Sequence, residues 1–233
     1  CSRCTGMYLG ALLGLIFQFA INRRASGTPP WYGIAVLALL VIAFAIDGIN
    51  SYLTFFPGFP HLYQPQNYLR LLTGSGMGVV ISAALFPAFN ETMWKDVEPN
   101  PALSNSWQIL GLILLTLIVD ALVMSENPLI LYPFALLSAA GVMVLLTMIY
   151  SMVWVILLNK ENQFENIKQL TYPLLAGFGV ALLQIILIDA GRFLLTDTWG
   201  GFQIGFLKNQ SMFTTFRVGH VVKIINTFIS TIL

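Results

Sequence analysis

The sequence predicts an all-α fold: a polytopic membrane helix bundle of about six transmembrane helices, followed by an amphipathic C-terminal helix. Composition is the first observation. Of 233 residues 57% are hydrophobic and 9% charged, whereas a soluble domain is about a quarter charged. The second is length, because six stretches reach the roughly 20 apolar residues that a bilayer crossing needs. The third is punctuation: breakers and charges collect between those stretches.

The spans fall at 5–22, 31–56, 67–89, 107–124, 129–158 and 170–196. Arg23, Arg24, Gly27, Pro29 and Pro30 separate the first two, and Pro57 to Pro65 the next pair. Glu91, Lys95, Asp96, Glu98, Pro99 and Pro101 follow span three, and Ser125 to Pro128 make a tight fourth connector. Lys160, Glu161, Glu165 and Lys168 precede span six. Span five is about 45 Å of helix against a core of about 30 Å. It is expected to tilt or to start among headgroups, with Pro133 as a place to bend.

From Met212 onward, Phe213, Phe216, Val221, Val222, Ile225, Phe228, Ile229 and Ile232 alternate at helical spacing with polar residues that include His220. That pattern suits a helix lying in the interface or packed on a partner subunit. The chain thus divides into 1–90, a three-span unit, 91–200, three further spans, and 201–233, the tail. It opens on Cys rather than Met, so processed, trimmed and lipid-bearing starts all stay open. No cleavable signal peptide is visible.

Eleven Lys and Arg against ten Asp and Glu leave a net charge of +1, so no basic surface for nucleic acid exists. No nucleotide loop or zinc-protease motif occurs. The partner implied first is the lipid bilayer, with other membrane subunits or a second copy next. Basic residues after spans one, three and five are Arg23, Arg24, Lys95, Lys160 and Lys168, against Arg3 and Arg70 at the other ends. This imbalance puts the cysteine end of a multi-pass protein outside. The tail's Lys208, Arg217 and Lys223 would level that count.

Charged residues within spans mark sites, because each costs about 2.5–3.5 kcal/mol at mid-bilayer. Asp47 shares a helix face with Asn50, Ser51 and Thr54, and Asn67 and Arg70 share one with Gly74 and Gly78. Asp47 is therefore expected to meet Arg70 across spans two and three. Asp189 and Arg192 are three apart and can pair within one helix. Asp120 has no cation in its own span, only Thr116 one turn away, and is expected to face the bundle interior. The echoes AIDGIN, LIVDAL and LIDAGR in the even spans fit either duplicated hairpins or chance. Gly6, Gly10 and Gly14 form a smooth strip suited to close helix packing, and Gly74 and Gly78 a shorter one.

Cys1 and Cys4 lie three apart at a helix start, on one face with Tyr8. Three readings stay open: a redox pair favoured by the helix N-terminus, half of a metal site, or a structural pair.

The blocks C-S-R-C-T-G-M-Y-L-G, D-G and N-Y-L-R-L-L-T-G resemble an uncharacterised family of bacterial membrane proteins, a domain of unknown function. Its pattern reads C-x-R-C-x-G-x-Y-x-G, D-G and N-x-x-R-x-x-T-G. Cys1, Arg3, Cys4, Gly6, Tyr8, Gly10, Asp47, Gly48, Asn67, Arg70, Thr73 and Gly74 match it, over about residues 1–90. The resemblance implies a further Cys-His element upstream, which with Cys1 and Cys4 would complete a metal set. It implies a bacterial inner membrane as the location, and no activity.

Three functions follow. The first is a C-x-x-C site over an intramembrane polar cluster, binding a metal ion or exchanging thiols, with Asp47, Asn67 and Arg70 holding a polar or anionic group beneath. The second is a small-solute or ion carrier using Asp47, Asp120 and Asp189. The third is an accessory subunit docking through its glycine strips and tail.

Overall fold

The structure, a computed structural model, describes residues 1–54, 62–125 and 127–196. Among them are six α-helices and no strand: α1 (Ser2–Ile21), α2 (Trp31–Leu53), α3 (Asn67–Met93), α4 (Ser106–Met124), α5 (Pro128–Leu157) and α6 (Ile167–Thr196). Each is long and apolar enough to cross a membrane. The protein is an integral membrane protein. The tail helix expected from Met212 lies outside the described residues. The chain forms two compact units, 1–178 and 179–233. The second is described only over 179–196, where Asp189 accepts a 2.7 Å hydrogen bond from Arg192, the pairing its spacing predicts.

Local chemistry sets the helix ends. Pro29 and Pro30 stop the first connector and release α2 at Trp31, since proline is tolerated at a helix start but not inside. Asn105 and Gln108 form a reciprocal capping box at the head of α4. At α5 the Asn127 side chain accepts from the Leu129 amide, and Pro128 occupies the first helical position. The 30 residues of α5 run on as one helix through Pro133.

In the first unit α1 and α3 run parallel in backbone contact. A Cβ on Gly6 would overlap the Leu71 carbonyl, one on Gly10 the Ser75 carbonyl, and one on Gly14 the Ser82 side chain. In return, Gly74 faces the Arg3 carbonyl and Gly78 that of Met7. Both strips are spent on one another. Without a hydrophobic drive between spans, such close approach supplies the packing. α5 lies alongside in the same direction, with Gly141 against the Tyr8 carbonyl and Ser138 donating to the Thr5 carbonyl at 3.5 Å. α2 and α4 run opposite to them. Gly33 meets Ile109, and Leu112, Val79 and Leu103 form a core with Val36, Leu37 and Leu40. Leu39, Ile49, Ile118 and Leu157 point outward, and the bilayer is the solvent that suits them.

The end away from the cysteines is tied by its connectors. The Ser26 amide donates to Glu98 at 2.9 Å, Glu98 to Arg24 at 2.9 Å, and Lys95 to Phe164 at 3.1 Å. Asn90 reaches the Ala25 carbonyl at 2.8 Å, and Arg24 lies 4.9 Å from the Trp94 ring centroid. The exposed Lys95–Glu165 pair, 2.6 Å apart, adds little.

Candidate functional site

At the cysteine end, four elements converge on Asp47, which is 1% exposed near the end of α2. Its cation is Arg3, from the first turn of α1. Arg3 Nε donates to Oδ2 at 3.1 Å, and a terminal guanidinium nitrogen pairs with the same oxygen. That nitrogen also donates to the Asp47 carbonyl at 3.2 Å and to Ser51 Oγ at 2.9 Å. Thr73 of α3 donates to Oδ2 at 3.3 Å, and the Tyr63 hydroxyl donates to Oδ1 at 2.7 Å. Tyr63 is held there by Asn50, whose amide donates to the Tyr63 carbonyl at 2.9 Å and accepts from the Leu62 amide at 2.8 Å. Every acceptor on Asp47 is thus used, the condition on which a buried charge is tolerable.

The expected Asp47–Arg70 contact is corrected. Gly74 seats α3 against the Arg3 backbone, so Arg3 takes the place facing Asp47, while Thr73 is the α3 residue that turns toward it. Arg70 is partly buried and, among the described residues, makes no ion pair and leaves Nε without a hydrogen-bond partner. Asn67 accepts from Ser2 Oγ at 3.5 Å, on the α1 side. Asn50 is in the cluster, as a clamp on the connector. Tyr63 escaped sequence reasoning, since a tyrosine in a Pro-rich connector carries no periodic signal. Ser75, which meets Asp120, was hidden among small residues of α3.

Burial, then its bond to Asp47, pushes the Tyr63 phenol up from 10.0 to about 12. A raised value favours the protonated phenol in the fold, so this contribution is complete below about pH 10 and lost as pH rises through about 12. The stability of the wild type is expected to fall between those limits more steeply than that of Tyr63→Phe. Parallel melting curves across that range would contradict the placement of Tyr63.

Cys1 is exposed and Cys4 partly buried, and both are free thiols. Cys1 is the N-cap of α1, whose first turn has no acidic residue and no side-chain cap. The two residues between the thiols are both tied down, Ser2 to Asn67 and Arg3 to Asp47. Among the described residues, no three His, Cys, Asp or Glu side chains cluster. Two thiols fall short of the four ligands of a structural zinc site, so the residues present do not make up the metal set that the sequence resemblance implied.

Asp120 lies inside the bundle, 1% exposed, with Oδ2 accepting from Ser75.

Residues 1–84 match the family described as predicted membrane protein (DUF2085). The match takes in α1, α2 and most of α3, the helices that build the Arg3–Asp47 cluster, and the family's function is unknown. An uncharacterized protein of the archaeon Methanocaldococcus jannaschii, MJ1492, is 29% identical over 100 residues. That alignment covers 42% of this chain and 57% of the relative's length. No solved structure matches the chain.

Proposed function

We propose that the protein is a membrane-anchored dithiol that exchanges with disulfides of partner proteins at the outer face of a prokaryotic plasma membrane. The observation that carries this reading is the contrast within C-S-R-C. The middle pair is pinned to α2 and α3, while the flanking thiols are free and one is exposed. Such a scaffold fixes where the sulfurs sit and leaves them available.

The exchange balances without a further reagent. The Cys1 thiolate bonds to one sulfur of the partner disulfide and releases the other as a thiolate, which takes up a proton. The Cys4 thiolate then displaces the partner from Cys1. Cys1 and Cys4 end as a disulfide and the partner as a dithiol, with two electrons and two protons passed on.

The carrier reading has less support, because Asp47 and Asp189 are each ion-paired. The accessory-subunit reading loses its glycine strips, which pack within the chain. Metal binding would need ligands beyond the two thiols.

Cys4→Ser is expected to trap the mixed disulfide. With oxidised glutathione, the wild type should lose both thiols and retain no glutathione, whereas Cys4→Ser should hold one glutathione on Cys1. A stable glutathione adduct on the wild type would sink the exchange reading. A membrane-impermeant maleimide should label Cys1 on intact cells, and labelling only after lysis would reverse the orientation.

A further inference from the structure

Among the described residues of the first unit, Asp120 is the one buried acid that the dithiol chemistry and the Arg3 lock leave unused. It sits four residues before the last residue of α4, about 6 Å inside the helix. Its Oδ1 is buried with no hydrogen-bond partner among the described residues. Helices α1, α2, α3 and α5 pack against α4, and the charged side chains they carry are Arg3, Asp47, Arg70 and Glu91. Arg3 and Asp47 are spent on each other, Glu91 is exposed at the far end, and among the described residues Arg70 forms no ion pair. Its hydrogen-bond contact among the described residues is with Ser75.

The hydroxyls near it have little to give. Ser75 Oγ has one hydrogen for two acceptors, the Leu72 carbonyl at 2.9 Å and Asp120 Oδ2 at 2.5 Å, and Thr116 Oγ1, one turn from Asp120, donates to the Leu112 carbonyl at 2.8 Å. A hydroxyl has one hydrogen and can accept two. One hydrogen cannot serve the Leu72 carbonyl and Asp120 Oδ2 at once, and Oδ1 has no donor among the described residues, so the buried carboxylate is left short of positive charge. Something must supply that charge.

We infer that Asp120 and Ser75 form an intramembrane binding site for a monovalent cation, H⁺ or Na⁺. A proton on Oδ2 would make Asp120 the donor and complete the chain Asp120 to Ser75 to the Leu72 carbonyl. Sodium would take Oδ2, Oδ1 and Ser75 Oγ as oxygen ligands. Either cation neutralises the carboxylate and lets α4 stay packed against α3. Its loss places a bare anion in that contact and favours an opened arrangement. This site is independent of the thiol exchange proposed above.

The test uses the full chain in nanodiscs, melted over two series. One raises the pH from about 5 to 9 in choline chloride, and the other adds sodium chloride at the alkaline end. The wild type is expected to lose roughly 5–10 °C of Tm as the cation is withdrawn. Asp120→Asn, whose amide supplies a permanent donor without charge, should stay flat. Recovery by sodium assigns Na⁺, and dependence on pH alone assigns H⁺. Parallel curves for the two proteins in both series overturn the site. Should Asp120→Asn fail to fold, reaction of the wild type with dicyclohexylcarbodiimide decides. The acid proton passes to a carbodiimide nitrogen, the carboxylate oxygen bonds to the central carbon, and acyl migration leaves a stable N-acylurea. An adduct on Asp120, suppressed by sodium or alkali, supports the site, and no adduct there overturns it.

Discussion

Arg3→Ala is expected to destabilise the protein by about 3–5 kcal/mol, the cost of breaking a buried ion pair from one side. It leaves the Asp47 carboxylate 1% exposed, with only the Tyr63 and Thr73 hydroxyls as donors. Asp47→Ala should cost less, because the Arg3 side chain is 18% exposed and long enough to carry its charge toward the headgroups. Arg3→Ala combined with Asp47→Ala should cost less than either single change, since no charge is then stranded. The order Arg3→Ala, Asp47→Ala, double variant can be read from thermal melts in detergent or bilayer. Strictly additive effects would mean that the two side chains do not meet.

That pair also shows where sequence reasoning stopped. The spans were legible almost to the residue: 31–56 against Trp31–Leu53, 107–124 against Ser106–Met124, 170–196 against Ile167–Thr196. Hydrophobic length and proline punctuation decide those limits locally. Asp47 and Arg70 also read as partners, because one short connector joins their helices. Which cation faces Asp47 depends instead on the register between α1 and α3. Gly6, Gly10, Gly14, Gly74 and Gly78 announced that two smooth faces exist, yet they are repetitive, and a shift of one turn would fit the same pattern. The register found, Arg3 beside Gly74 and Met7 beside Gly78, brings Arg3 to Asp47 and leaves Arg70 aside. Asp120 illustrates the opposite limit. Its lack of a cation in its own span was visible, but its one partner, Ser75, is polar only by a hydroxyl and sits among glycines. The ties at the far end run through backbone groups of Arg24, Lys95, Glu98 and Phe164, which side-chain patterns do not encode.

Gly78→Val should be the most damaging single change within the apolar spans. A Cβ at Gly78 would overlap the Met7 carbonyl oxygen and crowd the Ala11 amide, both of them backbone. No rotamer change relieves such a clash, so α1 and α3 must separate or slide. Overpacking of this kind costs about 1–3 kcal/mol where a core can adjust, and more where it cannot. Here the displacement also moves Arg3, one turn away on α1, relative to Asp47 on α2. The effect of Gly78→Val should therefore overlap with that of Arg3→Ala, the two together costing less than their sum. Gly48→Ala is the matched control, one residue from Asp47 on α2 with nothing within 4 Å of its added methyl. It should change stability by no more than about 0.5 kcal/mol. Thermal melts of the four proteins test both the seam and its coupling to the ion pair. If Gly78→Val melted with Gly48→Ala, the backbone contact between α1 and α3 would be absent, and with it the register that delivers Arg3 to Asp47.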